Sequence, residues 1–324
     1  MTGLDILTFG EALVEVMRTE IDQPLDQPAL FTGPYPSGAP FIFVVQAARL
    51  GAKVGAVGAV GQDAFGKCLL DQLRLDGVDT RGVHTLPDYT TGVAFVGYRQ
   101  DGSREFVFHA RHAAAGQISP EMLDESLFAG LKCLHVMGST LSMHEGALQT
   151  GLRALELAKS AGAKISFDPN IRPQLMPAER ARTAFAPFIQ AADVLIPSAE
   201  ELLLLGEGDS LEAAVRNLLR DKPERVVVVT QGADGCVVMT GEGQAKPDSV
   251  MSRMIPGYPV IEVDPTGAGD CFDAGFLVRW LAGDDPVTAA AYANACGALS
   301  VTVKGPMAGA RNRIDVQAFI ESHQ

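Results

Sequence analysis

The chain of 324 residues carries 26 Lys and Arg against 39 Asp and Glu, and its net charge of −13 excludes a general binder of nucleic acid or anionic membrane. At 47% hydrophobic and 20% charged it is a folded globular protein of one large domain or two, with no apolar run near the roughly 18 residues that span a bilayer. Any phosphate it handles must be held by a local device rather than by a basic surface.

The start, Met1-Thr2-Gly3-Leu4, lacks the basic and apolar stretches of an export signal. Five cysteines, Cys68, Cys133, Cys236, Cys271 and Cys296, form no C-x-x-C pair and are odd in number, so reduced thiols in a cytoplasm are expected. Residues of about 12–35 are rich in Pro and Gly and are expected to add strands to a small β subdomain. The stretch from Gly61 to Cys68 follows an apolar strand and nearly spells a phosphate-binding P-loop. Cys68 stands where a hydroxyl should hold Mg²⁺, and Asp63 would repel phosphate, which argues against that role. Further on, β-rich runs at 93–99 and 104–108 flank Asp101-Gly102, a hairpin signature that interrupts the βα rhythm. His109 and His112 have no Cys or carboxylate at a zinc-like spacing, so no structural metal is expected.

The second half alternates short apolar runs with amphipathic stretches, as βα units of a largely parallel sheet do. The runs are 131–137, 163–167, 193–196 and 225–229, the last holding four consecutive valines suited to a strand buried on both faces. Each is followed by a polar or glycine-bearing junction, at 138–140, 168–172, 197–201 and 230–235. Four such junctions on one sheet edge imply one shared crevice, since open parallel sheets bind ligands at the carboxyl ends of their strands. The stretches 145–160, 211–219 and 285–303 read as packing helices.

The strongest local signal runs from Val263 to Phe276, Val-Asp-Pro-Thr-Gly-Ala-Gly-Asp-Cys-Phe-Asp-Ala-Gly-Phe, into an apolar helix expected over 272–281. Gly267, Ala268 and Gly269 can bring backbone N–H groups close to an anion at a helix N-terminus, holding phosphate without lysine. Asp270 in that first turn is either a helix cap or a base that takes a proton from a hydroxyl attacking a phosphoryl group. No G-x-G-x-x-G follows a strand, which excludes the usual nicotinamide oxidoreductase.

These residues resemble the PfkB, or ribokinase-like, carbohydrate kinases along nearly the whole chain. The first strand Gly10-Glu-Ala-Leu-Val-Glu15, the segment Ser37-Gly-Ala-Pro with Ala47-Ala-Arg-Leu-Gly51, the segment 58–66, Phe167-Asp-Pro-Asn-Ile-Arg-Pro173 and Asp264 to Gly275 all look like family motifs. The resemblance implies a three-layer α/β/α sandwich with a mostly parallel central sheet, a single domain over 1–324, and a β-sheet lid from about 12–35 and 92–115. It turns the near P-loop into a structural turn and helix start.

By the same resemblance the chain is an ATP-dependent sugar kinase with Asp270 as general base and Gly267, Ala268 and Gly269 as the anion hole. Glu15, Ser37, Gly38 and Ala39 would line the sugar pocket, Arg111 would reach in from the lid, and Arg172 would sit between sugar and phosphates. Ser198, Thr230, Gly232, Gly235 and Asn294 fall on the nucleotide side. Glu201 would organise Mg²⁺ through water, and Asp264 and Thr266 would lie at a monovalent-cation loop, for which potassium is the expected ion. Lids pairing edge to edge imply a homodimer.

Two positions depart from the family pattern. Ser198 replaces the amide of its N-x-x-E motif, and Ile42 stands where an Asn normally contacts the sugar. Kinases for 2-keto-3-deoxygluconate commonly show Tyr-Tyr-Arg where this chain has His109-Ala-Arg111, so a neutral ketohexose such as fructose or tagatose is the expected substrate. The alternatives are that sugar acid, clamped by Arg111 and Arg172, and a non-catalytic sugar or nucleotide sensor built on the kinase fold.

Overall fold

The computed structural model describes residues 3–241 and 249–323; Met1 and Thr2, read above as the start of a chain without an export signal, lie outside them. The chain opens with β1 (Ile6–Phe9), β2 (Leu13–Arg18), β3 (Phe31–Ser37), α1 (Ala39–Arg49), β4 (Val54–Gly61), α2 (Ala64–Leu75) and β5 (Asp79–Leu86). The hairpin β6 (Gly92–Tyr98) and β7 (Arg104–His109) comes next, then β8 (Cys133–Met137), α3 (Gly138–Leu141), α4 (Glu145–Ser160), β9 (Lys164–Asp168), α5 (Ala178–Ala191) and β10 (Val194–Leu195). After α6 (Ala199–Gly206), α7 (Leu211–Arg220), β11 (Val226–Thr230), β12 (Gly235–Gly241) and β13 (Val250–Pro256), the helices α8 (Ala268–Leu281), α9 (Pro286–Ser300) and α10 (Arg313–Ser322) close the fold.

Nine strands form the central sheet in the order β13-β12-β11-β10-β9-β8-β1-β4-β5. Its middle is parallel, and only β12 and β13, which sequence patterning does not separate, run antiparallel at one edge. The valines of β11 are buried on both faces, as a β-branched run in a covered sheet should be. One face packs on α1, α8 and α9 through Phe41, Phe43 and Phe276. The other packs on α4, α5 and α7, where Phe167 meets Phe185 and Phe188 with ring centroids 5.4 and 5.8 Å apart. The result is the α/β/α sandwich.

The near P-loop is a turn between β4 and α2. Asp63 caps α2 by accepting from Gly66 N at 2.8 Å, and it also accepts from Thr91 N at 2.7 Å. A carboxylate thus fills the helix start that a phosphate would need.

Two features of this scaffold position the site. From β1 the chain turns one way along the sheet to β4 and β5 and later returns to β8 on the other flank, so the strand order reverses between β1 and β8. A crevice opens at the carboxyl ends of strands on either side of such a reversal. Over that edge sits a second sheet of four strands, ordered β3-β2-β6-β7, with β2 parallel to β6 and antiparallel neighbours at both ends.

Candidate active site

The loop before α8 is built around Asp264, which is 1% exposed. Its Oδ1 accepts from Thr266 N at 3.1 Å and its Oδ2 from Gly305 N at 2.9 Å, while Val263 N and Asp264 N donate to Val301 O. The two loops so joined turn the chain at Gly267, whose φ of 87° is one that residues with a side chain rarely adopt. A Cβ there would lie 2.9 Å from both Ile42 Cγ2 and Pro306 O. Ile42, in place of the amide expected from the family pattern, is therefore the apolar support under this turn.

The helix starts at Ala268, four residues before the expected 272, because the glycine turn already satisfies the geometry of a helix entry. No side chain caps it. The first N–H groups of an α-helix have no partner within the helix; Ala268 N makes only a long bond to Pro265 O at 3.4 Å, so the entry at Gly267, Ala268 and Gly269 leaves donor capacity and a partial positive charge at this point.

Asp270 is in this first turn, 7% exposed. Burial, reinforced by the charges of Asp168, Glu11 and Glu15, raises its carboxyl well above the usual range, and Arg172 alone pulls the other way. Asp168, at the end of β9, is pushed up to about 7, first by burial and then by the charge of Glu201, against Arg172 and the hydrogen bonds from Asn170. One turn along α8, buried Asp273 is raised well above the usual carboxylate range by burial and then by the charges of Asp168 and Asp270, and its Oδ2 lies 3.6 Å from His135 Nε2. His135 stacks on Phe43 at 4.1 Å, and burial pushes it down to about 3, so this contact is a neutral imidazole against a carboxyl. Glu11, just past β1, accepts from Thr140 Oγ1 at 2.6 Å and Ser139 Oγ at 3.3 Å, joining the two strands that flank the reversal.

The sugar-side residues cluster on the small sheet. Glu15 on β2 accepts from Ser37 Oγ at 2.7 Å through Oε1, while its buried Oε2 has no partner. Burial, together with the charge of Asp264, lifts Glu15 to about 7 despite the Ser37 bond and the opposing charge of Arg104. Gly38 and Ala39 form the cap and first residue of α1 directly after Ser37. Arg172 is at the surface of the crevice, its charge acting on Glu11, Asp168 and Asp270. Arg111 is elsewhere: exposed, with its charge on His144, and among the described residues neither hydrogen bond nor ion pair joins it to Glu15 or Asp270. Arg104 takes the place beside Glu15 and donates from NH1 to Thr266 Oγ1 at 2.8 Å.

On the other flank Thr230 ends β11 and forms a bridge with Ser198. Gly232, at φ 60°, is exposed, and Gly235 opens β12. Asn294 on α9 donates from Nδ2 to Ile255 O at 3.1 Å and Pro256 O at 2.9 Å, so its amide secures the wall of this groove. Ser198 and Glu201 form a capping box on α6. Glu201 Oε2 accepts from Ser198 N at 2.8 Å and Oε1 from Ile171 N at 2.6 Å. With both oxygens engaged, Glu201 suits contact with a hydrated Mg²⁺ through water rather than direct ligation. Among the described residues no group of three or more His, Cys, Asp or Glu side chains makes a metal cage.

Glu11, Asp273 and Arg104 were not singled out by the sequence. Glu11 lies in the same Gly-Glu-Ala-Leu-Val-Glu run as Glu15, and the carboxylate-rich start of that run was the one signal available for it.

The arrangement joins an uncapped helix start, a buried carboxylate and a polar pocket under a second sheet, which suits moving a phosphoryl group onto a hydroxyl. Residues 5–313 match the family model described as pfkB family carbohydrate kinase. The chain is 34% identical to Fructokinase-1 of Oryza sativa subsp. japonica over 327 residues, covering 98% of each chain. It superposes with a TM-score of 0.91 and 38% identity on a putative Ribokinase II from E. coli in complex with ATP and Mg²⁺, covering all of both chains. Fructokinase from Vibrio cholerae O395, in a form with fructose, ADP and calcium ion bound, gives a TM-score of 0.81 at 28% identity over 98% of this chain and 99% of that one. The chain belongs to the pfkB family of carbohydrate kinases and is a ribokinase-like phosphotransferase that uses an alcohol group of a carbohydrate as acceptor.

Proposed function

We propose that this kinase transfers the γ-phosphoryl group of ATP to a hydroxyl of a ketohexose, with fructose as the first candidate. The observation that carries the reading is Asp270, buried at the uncapped start of α8 and within the electrostatic reach of Glu15 and Arg172. Glu15 Oε2, the unpartnered acceptor, receives a sugar hydroxyl, with Ser37, Gly38 and Ala39 closing the same wall. Asp270 accepts the proton of the attacking hydroxyl as its oxygen bonds to the γ-phosphorus and the bond to the β,γ-bridging oxygen breaks, releasing ADP. N–H groups of Gly267, Ala268 and Gly269 stabilise the charge gathering on the γ-oxygens. Thr230, Gly232, Gly235, Ser198 and Asn294 border the nucleotide.

Mg²⁺ arriving with ATP would supply positive charge against the phosphates, and Glu201 would hold it through water. A potassium ion at the Asp264 and Thr266 loop would stiffen the turn that presents the anion hole; the buried Asp264 carboxylate, already bridging two loops, suits that place. The fructokinase relatives favour a neutral ketohexose. Arg111 lies away from the crevice and so is not available to pair with Arg172 as the arginine clamp expected for a sugar acid. The thiols, all five unbridged, fit work in a reducing cytoplasm, and the small sheet fits pairing into a homodimer.

The test is ADP release from purified enzyme on fructose, tagatose and 2-keto-3-deoxygluconate, in potassium and in tetramethylammonium salts. Fructose is expected to give the highest kcat/KM, with stimulation by potassium. Asp270→Asn should bind ATP as before and lose about 10² to 10⁴ in kcat, the usual worth of a general base. Activity on none of the sugars would move the protein to a binding role, and an active Asp270→Asn would remove the base.

A further inference from the structure

We propose that Arg104 is a positioning residue for phosphoryl transfer, coupling the small sheet over the sugar to the loop that presents the anion hole through its bond to Thr266. The proposal rests on the reading of Gly267, Ala268 and Gly269 as that hole. Three observations carry it.

The first is register. Glu15 pairs with Ala94 and Ala94 with Phe108, while Tyr98 pairs with Arg104 four residues further along the hairpin. Side chains alternate along a strand, so Tyr98 and Arg104 share the sheet face of Glu15. The second is the contact itself. Arg104 NH1 donates to Thr266 Oγ1 at 2.8 Å across 162 residues of sequence, and Thr266 is 8% exposed and directly precedes Gly267. The third is that neighbouring contacts join the same two bodies. The Tyr98 hydroxyl, which donates to Met17 Sδ at 3.3 Å within the small sheet, feels the charge of Asp264, and Lys304 Nζ donates to Arg18 O at 3.0 Å while lying 5.5 Å over the Tyr98 ring.

Among the described residues Arg104 is hydrogen-bonded to Thr266 alone, leaving further N–H groups of its fork free on the sheet face that carries the unpartnered Glu15 Oε2, whose carboxyl feels the Arg104 charge. A sugar that donates to Glu15 occupies that same face and is placed to accept from the free N–H groups of Arg104. Fixing Arg104 fixes Thr266, and Thr266 sets the turn at Gly267. Because a misplacement of about 1 Å can lower a rate roughly a hundredfold, a bond at this point is able to tie turnover to sugar occupancy.

The experiment is a double-mutant cycle on the full-length enzyme at saturating ATP, Mg²⁺ and potassium, with Arg104→Gln, Thr266→Val and the double variant. Each single variant is expected to lower kcat on the best sugar about tenfold to a hundredfold, the range for losing one charge-assisted hydrogen bond. The double variant should fall no more than about twofold below the slower single, because both break the same bond. KM for the sugar should rise in Arg104→Gln and stay near wild type in Thr266→Val. Arg99→Gln, which removes an exposed cation of the same hairpin bonded to Glu105, should leave kcat unchanged. Thr266→Ser, which restores the hydroxyl, should recover most of the kcat lost in Thr266→Val, separating the bond from any general loosening seen in thermal melts. Effects that multiply in the double variant, a serine variant as slow as the valine one, or an equal loss in Arg99→Gln would each overturn the proposal. Failure of the anion-hole reading would be visible separately, as unchanged kinetics for ATP in Gly269→Ala, whose added Cβ meets no protein atom within 4 Å.

Discussion

Glu15 shows how one residue carries both a binding role and a stability effect. Burial lifts its carboxyl to about 7, above the ordinary 4.5. The folded state therefore holds a proton that the unfolded chain releases earlier. This contribution to stability is fully present below about pH 4.5 and is lost as the pH rises through about 7, amounting to up to about 3 kcal/mol. Glu15→Gln should abolish that dependence. Ligand-free melts at pH 5 and pH 8 should show a smaller drop in Tm for the variant than for wild type, while sugar KM rises about tenfold or more for want of the acceptor. Parallel pH dependences in the two proteins would show that Glu15 is not buried as described. The residues legible in the sequence at this scale, Glu15, Ser37 and Asp270 among them, belong to short contiguous motifs. Arg104 does not, because its importance depends on a hairpin register and a contact 162 residues away. Asp273 was passed over for a related reason: its partners Asp168 and His135 come from β9 and β8, and no local pattern joins those strands to α8.

Among the elements, α8 is where local chemistry and function meet. Two glycines at its entry, the cap Gly267 and Gly269 in the first turn, make opposite predictions. Gly267→Ala puts a Cβ 2.9 Å from Pro306 O on a backbone at φ 87°, so it should both lower Tm and reduce kcat by about a hundredfold or more. Gly269→Ala meets nothing within 4 Å and sits inside a helix, where alanine is favoured by about 0.5 to 1 kcal/mol. Its Tm should hold or rise, and yet kcat/KM for ATP should fall if phosphate approaches this backbone closely. Unchanged kinetics in Gly269→Ala, measured by ADP release, would place the phosphate elsewhere. The strands were legible because runs such as 225–229 are apolar and β-branched, and the helices 145–160 and 211–219 because their periodicity is plain. Helix α8 was misjudged at its start because small residues carry no periodic signal. The strand β10 is only two residues long and is defined by its neighbours β9 and β11 rather than by its own pattern.

For the molecule as a whole, the excess of acidic groups is not confined to the exterior. Asp168, Asp270, Asp273, Glu11 and Glu15 are all buried within one crevice, with Arg172 as the cation acting on three of them.

The small sheet poses a different problem at the same scale. Its Glu15 face turns toward the crevice, which leaves the opposite face to Phe31, Phe95, Val107 and His109, with Phe31 37% and Val107 41% exposed. A four-stranded sheet cannot cover that face with its own side chains, and the edge strand β7 has unpaired backbone groups. The opposite edge, β3, is blunted by Pro34 and Pro36, which donate no hydrogen bonds. A second copy of the chain, meeting the first along this face and the β7 edge, would cover both at once. Light scattering at micromolar concentration should then give about twice the 34.2 kDa chain mass. Val107→Asp, which places a charge in the middle of the apolar face, should shift the protein toward monomer without unfolding it, since the central sheet and its two cores are untouched. A wild-type mass equal to one chain across the concentration range would rule out pairing through this sheet.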